Sequence, residues 1–336
     1  DLIDTNEDAE SVRNVMASPL SGVDPTSLID ITPHVRALEE HLKSTNTLHH
    51  LPAKFGFLID DGGAFSIKDF STDINFEAVR DSETVSFVIR LAEAEDIALI
   101  RPEDLVKTAD TLAHYFINAR QGHEDQIRRM KHLVAREGAS KIFSQAGLET
   151  FSASHLPIDK KDARQSPIGF HRFGTFGCLG LAAPFGRWHA KILSDLTHFA
   201  ERHKIHSLRL TPWRALLLPD ISEETAEEAR ALFNDVLITN PHDPRLFIAA
   251  CSGEPACLHA SVKTQEDALT FAKLFTKTPQ SGIDLHVSGC EKGCAHPRSS
   301  EVTLVGREGR YDPIRRGLDP MHAASALKEM LEGEFA

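Results

Sequence analysis

The chain has 336 residues, 41% apolar and 26% charged, which suits two or three packed units and argues against wholesale disorder. Acidic residues outnumber basic ones 49 to 37, a net charge of −12, without the basic excess that nucleic-acid binding needs. No run of about 18 apolar residues occurs, which excludes a membrane-spanning helix, and the opening DLIDTNEDAE lacks the regions of a secretory signal. Val35, Leu38 and Leu42 predict a helix over 30–46, with Thr32 as N-cap and Pro33 behind it. Residues 53–67 read as a β-hairpin: Phe55 and Phe57 alternate with Lys54 and Gly56, and Asp60-Asp61-Gly62-Gly63 supplies the turn. A strand follows over 85–94, then two long helices over about 102–120 and 123–146, split by Gln121-Gly122. A polar, proline-containing loop over 152–168 marks the main boundary. Beyond it come a strand, a helix over about 186–203 and two strands, SLRLTP and ALLLP. Ser222 caps a helix over 222–236 whose first turn is acidic. The last hundred residues alternate short strands (245–250, 283–288, 301–305) with helices (265–276, 321–332). Hairpins mixed with helices indicate an α+β chain.

The five cysteines are an odd count without a signal peptide, which favours a reducing cytoplasm over a disulfide framework. Four fall in two pairs, Cys251 and Cys257 in ACSGEPACLHA, and Cys290 and Cys294 in HVSGCEKGCAHP. Four thiolates on two loops suit a tetrahedral metal or a four-iron cluster. Gly253, Gly289 and Gly293 let the backbone turn tightly around the sulfurs, and Pro297 closes the second loop. Structural zinc usually takes shorter knuckles, C-x2-C or C-x4-C. Cys178, alone in FGCLG, reads as a small core residue.

C-x5-C followed about thirty residues later by C-x3-C is similar to the cluster signature of the sulfite and nitrite reductase superfamily. SVRNVMASPLSG (11–22) resembles its Arg-Asn-Val segment, and LPAKFGF (51–57) resembles its Leu-Pro-x-Lys-Phe strand. SGCEKGCAHP, LRLTPWRALLLP (208–219), LPAKFGFLIDDGG and LAAPFGR (181–187) resemble in particular the precorrin-3B synthase branch. These motifs run from about residue 11 to residue 305. The resemblance implies an α+β fold of mixed sheets with flanking helices plus a ferredoxin-like half-domain. It implies three parts: a first tetrapyrrole-site domain over 1–152, a ferredoxin-like half over 153–221 and a cluster-binding domain over 222–336. It also implies that Cys251, Cys257, Cys290 and Cys294 hold a [4Fe–4S] cluster beside a tetrapyrrole. The family carries another ferredoxin-like half upstream of Arg-Asn-Val. Here that motif starts at Arg13 and no initiator Met precedes it, so an N-terminally truncated chain is expected.

For this branch the implied reaction is oxidative. Dioxygen hydroxylates precorrin-3A at C20, and a ring-A acetate closes a γ-lactone to give precorrin-3B in aerobic cobalamin biosynthesis. Electrons would come from a separate NAD(P)H-dependent donor and pass through the cluster. No G-x-G-x-x-G follows a strand, so the chain shows no nucleotide site of its own. A carboxylate-rich tetrapyrrole meeting a chain of charge −12 needs a local basic lining, and arginine pairs carboxylates bidentately. Arg13 and Lys54 are the expected catalytic residues; with Asn14, Arg209 and Arg214 they are the expected substrate ligands, and Lys292 and Arg298 stand beside the cluster. Asn14 could bind a carboxylate or hold a local turn. Trp213 and Phe55 could stack on the macrocycle, although core packing is the commoner fate. Dioxygen activation calls for an open, second mononuclear iron, often on two His and a carboxylate. No spacing identifies such a triad; His286 and His296 flank the cluster loop. The alternative is a sirohaem-dependent sulfite or nitrite reductase. Those enzymes carry a second lysine where this chain has Gly56.

Overall fold

The structure is a computed structural model that describes residues 5–81, 84–92, 94–152, 166–274, 283–296 and 300–314. The helix expected over 321–332, Pro297 and Arg298 lie outside the described residues. The chain divides into two compact units, residues 1–165 with 172–176, and residues 166–171 with 177–336. No helix among the described residues is long and apolar enough to cross a membrane.

The first unit opens with α1 (Glu7–Val12), started by the Asn6 side chain, which accepts from the Asp8 and Ala9 N–H groups. There follow β1 (Val15–Ala17), α2 (Thr32–Ser44), β2 (Phe57–Asp60), β3 (Ile74–Asp81), β4 (Thr84–Leu91) and β5 (Asp96–Ile100). Then come α3 (Leu105–Arg120), α4 (Met130–Glu137), α5 (Ala139–Gln145) and β6 (Thr150–Ser152). The strands form one sheet in chain order: β1, β2 and β3 run parallel, and β4 to β6 continue antiparallel. One core joins Phe57, Phe76 and Phe87 of the sheet to Leu38 of α2 and Leu112 and Phe116 of α3.

Three sequence expectations change here. Residues 53–67 are not a hairpin, because β2 pairs in parallel with both β1 and β3. All four β2 residues are buried, as a central parallel strand requires. The Asp60 and Asp61 carboxylates fold the next loop onto itself by accepting the Gly62 and Gly63 N–H groups. The helix expected over 123–146 is two helices, parted by Gly138 at φ +82° and preceded by turns that bring Arg129 to Asp73. In α2, Thr32 is the first helical residue rather than the cap, and the Asp30 carboxylate accepts its N–H.

The second unit begins with β7 (Gly169–Phe173), β8 (Phe176–Ala182), α6 (Ala190–Arg202), β9 (Arg209–Leu210), β10 (Ala215–Pro219) and α7 (Glu223–Phe233). The sheet order is β7-β8-β10-β9. Ser222 caps α7 by accepting the Thr225 N–H, as expected. Ala226, Ala229 and Phe233 of α7 share one core with Leu179 and Leu181 of β8 and Leu216 and Leu218 of β10. The boundary expected at 221/222 would cut this core, so α7 packs with β7–β10 instead.

A second four-stranded sheet follows: β11 (Ile248–Ala250), then α8 (Thr264–Leu274), β12 (Leu285–Ser288), β13 (Val302–Arg307) and β14 (Arg310–Ile314). β11, β12 and β13 are parallel, and β14 turns back antiparallel. This repeats the order and directions of β1–β4, with α2 and α8 in matching places. Ala17 pairs with Ile59 as Ala250 pairs with Val287. The next residues match as well: the Asp61 N–H donates to Ser18 Oγ at 3.0 Å, and the Gly289 N–H donates to Cys251 Sγ at 3.2 Å. Ser18 in one repeat thus stands where Cys251 stands in the other.

Candidate functional site

β11 and β12 are neighbouring parallel strands, so the loops leaving their C-terminal ends emerge side by side, where open parallel sheets usually bind ligands. Cys251 directly follows β11, and Cys290 lies two residues past β12. The first loop is turned by Gly253 at φ +63°; a β-carbon there would lie 2.3 Å from Thr264 Oγ1. Thr264, fully buried, donates its hydroxyl to the Cys251 carbonyl at 2.7 Å. The second loop turns at Gly293, φ +60°, and the Ser288 hydroxyl donates to the Cys290 carbonyl at 2.7 Å. The loops meet at Gly289, where a β-carbon would come within 2.6 Å of Ala260 Cβ. Cys251, Cys257 and Cys290 are half-buried and Cys294 is exposed, whereas Cys178 is buried in β8.

Among the described residues no three His, Cys, Asp or Glu side chains close on a single ion. A four-iron cluster instead takes one thiolate per iron around a cube. Two glycine-turned loops on adjoining strand ends, with a backbone N–H already donated to one sulfur, fit that larger group. His286, on β12, packs its ring edge-to-face on His296, centroids 6.0 Å apart. Burial pushes the His286 imidazole down to about 4, and neighbouring His296 adds to this.

Beside this loop the second unit holds a cavity of about 220 Å³, lined by Arg214, Trp213, Phe185, Gly186, Arg245 and His296 among others. Arg214 sits at the tip of the β9–β10 hairpin with φ +61°, a region that disfavours side-chain-bearing residues. Thr211 closes that tip: its N–H donates to the Ala215 carbonyl, and its Oγ1 accepts the Ala215 N–H. The Arg214 side chain lies on Gly186, where a β-carbon would come within 2.7 Å of Arg214 Cδ. Arg214 is exposed and has no carboxylate partner among the described residues. Arg209 does not line the cavity; its Nε donates to Ser207 Oγ at 3.2 Å. Arg245, which sequence reasoning missed, lines the cavity while paired to Asp243 at 2.7 Å. Its only sequence signal was a basic residue in a proline turn just before the first cysteine loop.

Arg13, Asn14 and Lys54 lie in the first unit, where Asn14 contacts the backbone on either side of Lys54. Lys54 stands in a turn before β2 rather than on a strand, and it is exposed. The Asn14 amide donates to the carbonyls on both sides of it, Ala53 at 2.9 Å and Phe55 at 3.2 Å. Asn14 therefore holds the turn that presents Lys54. Arg13 pairs with Glu10 at 2.9 Å and Glu39 at 3.8 Å, its side chain 29% exposed. Such a pair is worth about 0–1 kcal/mol, so an incoming carboxylate can displace it. Phe55 is core, packed on Phe57 and Phe116. Lys292 is exposed on the second cysteine loop.

The family model for the nitrite and sulphite reductase 4Fe-4S domain matches residues 8–153, and the one for the nitrite/sulfite reductase ferredoxin-like half domain matches residues 173–236. The chain belongs to the nitrite and sulphite reductase superfamily, with its α+β fold. It is 28% identical to a precorrin-3B synthase from Sinorhizobium sp over 305 residues, 89% of this chain and 64% of that protein. It is 24% identical to a chloroplastic ferredoxin–nitrite reductase from Zea mays over 88% of this chain and 57% of that protein. The solved structure of Mycobacterium tuberculosis NirA superposes with a TM-score of 0.68 at 18% identity, covering 87% of this chain and 57% of that one. The chain thus spans between half and two thirds of the length of these relatives. Residues 8–153 contain no cysteine; the match accords with the β1–β4 repeat of the cysteine-bearing sheet.

Proposed function

We propose that Cys251, Cys257, Cys290 and Cys294 hold a [4Fe–4S] cluster in an oxidoreductase that converts precorrin-3A to precorrin-3B in the cytoplasm. The observation that carries the proposal is Arg214. It is a cation without a carboxylate partner among the described residues, held in a disfavoured backbone conformation on a cavity that Ala295 and His296 of the second cysteine loop also line. A guanidinium so placed can pair with a tetrapyrrole carboxylate. Lys54, presented by Asn14, and Arg13, once exchanged from Glu10, supply further cations for the same class of ligand. When bound, the cluster supplies one-electron transfer. In the proposed reaction one oxygen of dioxygen enters the new C20–O bond and the other leaves as water. Two electrons come from a separate NAD(P)H-dependent donor, with two protons. No described residues offer a ligand set for a second mononuclear iron, and none is assigned.

The 28% identity to a precorrin-3B synthase supports this substrate, as does Gly56 in place of a second lysine. The nitrite reductase relatives support the second reading, a sirohaem-dependent reductase. The test is to assemble the cluster anaerobically, add precorrin-3A, dioxygen and a reductant, and follow product mass. A gain of one oxygen atom is expected. Sirohaem retained on purification, with nitrite or sulfite reduction and no oxygen gain, would sink the proposal.

A further inference from the structure

We infer that His286 is a hydrogen-bond donor to the cluster, its Nε2–H serving the Cys290–Cys294 loop; this rests on the cluster reading above. His286 lies on the middle strand of three parallel ones, opposite Ala249 and Thr303, and is only 2% exposed. Its Nε2 has no hydrogen-bond partner among the described residues. Buried polar atoms are almost always paired, so an orphan of this kind marks a missing acceptor. The location indicates which acceptor. Cε1, the carbon bonded to Nε2, lies 3.6 Å from where a β-carbon on Gly293 would be, between Cys290 and Cys294. Thiolates and cluster sulfides are acceptors, and donors to them tune the potential. A neutral imidazole carries a single N–H, enough for one such bond.

The repeat supplies an independent comparison. Leu58 occupies the position of His286 in the cysteine-free sheet, opposite Met16 as His286 is opposite Ala249, and it is fully buried. The strand therefore does not need a polar residue at this position for folding. Histidine replaces leucine in the repeat that carries the cysteines.

The test uses the full chain with its cluster assembled, after counting iron and labile sulfide. Pulsed EPR of the reduced protein labelled with ¹⁵N-histidine should show an imidazole nitrogen coupled to the cluster. That coupling should vanish in His286→Gln and His286→Leu. The midpoint potential should fall in His286→Leu, return towards the native value in His286→Gln, whose amide retains a donor, and stay put in the control His198→Leu. Full iron and sulfide with no imidazole coupling in the native protein, or coupling that survives His286→Gln, overturns the inference alone. A chain that takes up no iron or sulfide overturns the cluster reading, and the inference falls with it.

Discussion

Arg214 separates what a residue contributes to folding from what it contributes to a site. At φ +61° the backbone would be relaxed by glycine, so Arg214→Gly should leave stability unchanged or raise it by about 1 kcal/mol. The same change removes the guanidinium, and one charge-assisted hydrogen bond is worth roughly 1.5–3 kcal/mol. Affinity for a carboxylate-rich tetrapyrrole should then fall about 10- to 100-fold. Thermal unfolding and a binding titration measure the two effects; unchanged affinity would remove Arg214 from the site. The cysteines offer the complementary contrast. Cys290→Ser should abolish iron and sulfide uptake, whereas Cys178→Ala should keep both and lose some stability from the β8 core. A Cys290→Ser protein that stays brown would contradict the ligand assignment. Of the expected residues, the cysteine spacing and Cys178 were legible because each is a local property. That Asn14 holds the turn around Lys54 was not, because its partners lie 39 and 41 residues away.

At the scale of elements, β2 depends on groups outside itself. Asp73 is buried and accepts from the Gly56 and Met130 N–H groups and from Arg129, tying the entry of β2 to the start of α4. Asp73→Asn should cost roughly 1.5–3 kcal/mol in denaturant unfolding, because hydrogen bonds to a charged acceptor are replaced by weaker ones. A loss below half of that would show that the tie is not structural. Desolvation by burial holds the Asp61 and Glu77 carboxyls above their ordinary values. The folded chain then binds these protons more tightly than the unfolded one. Their contribution to stability is greatest below the ordinary carboxylate range and declines as pH rises through it towards the raised values. Asp61→Asn should flatten that decline above the ordinary carboxylate range, followed by unfolding free energies measured across pH. An unchanged slope would exclude Asp61 as a cause. The helix α7 was readable from Ser222 and its acidic first turn, since capping is local. The parallel pairing of β2 was not, because an apolar run of this length suits either a hairpin arm or a buried central strand.

For the molecule as a whole, the net charge of −12 opposes the polyanionic substrate proposed above at long range, and only a local cation such as Arg214 would attract it at contact. Association should speed up on moving from about 10 mM to about 150 mM salt, as the screening length falls from roughly 30 Å to roughly 8 Å. Stopped-flow mixing with a carboxylated tetrapyrrole measures it, and a rate that falls with salt would show that local steering dominates instead. The β1–β4 and β11–β14 sheets repeat one topology, but residue identities do not reveal it. What they share is a set of strand directions and one backbone N–H donated to Ser18 or Cys251.

The sequence alone determined the α+β class and the four paired cysteines. Composition, spacing and net charge are properties of the chain before it folds. The tertiary structure decided where the candidate cations lie and what they pair with. It placed Arg214 on a cavity and Arg209 away from it, occupied Arg13 with glutamates, and put Lys54 on a turn held by Asn14. It also showed a buried imidazole beneath the second cysteine loop. Burial, pairing and the meeting of loops depend on strands far apart in the chain, so only the folded arrangement could settle them.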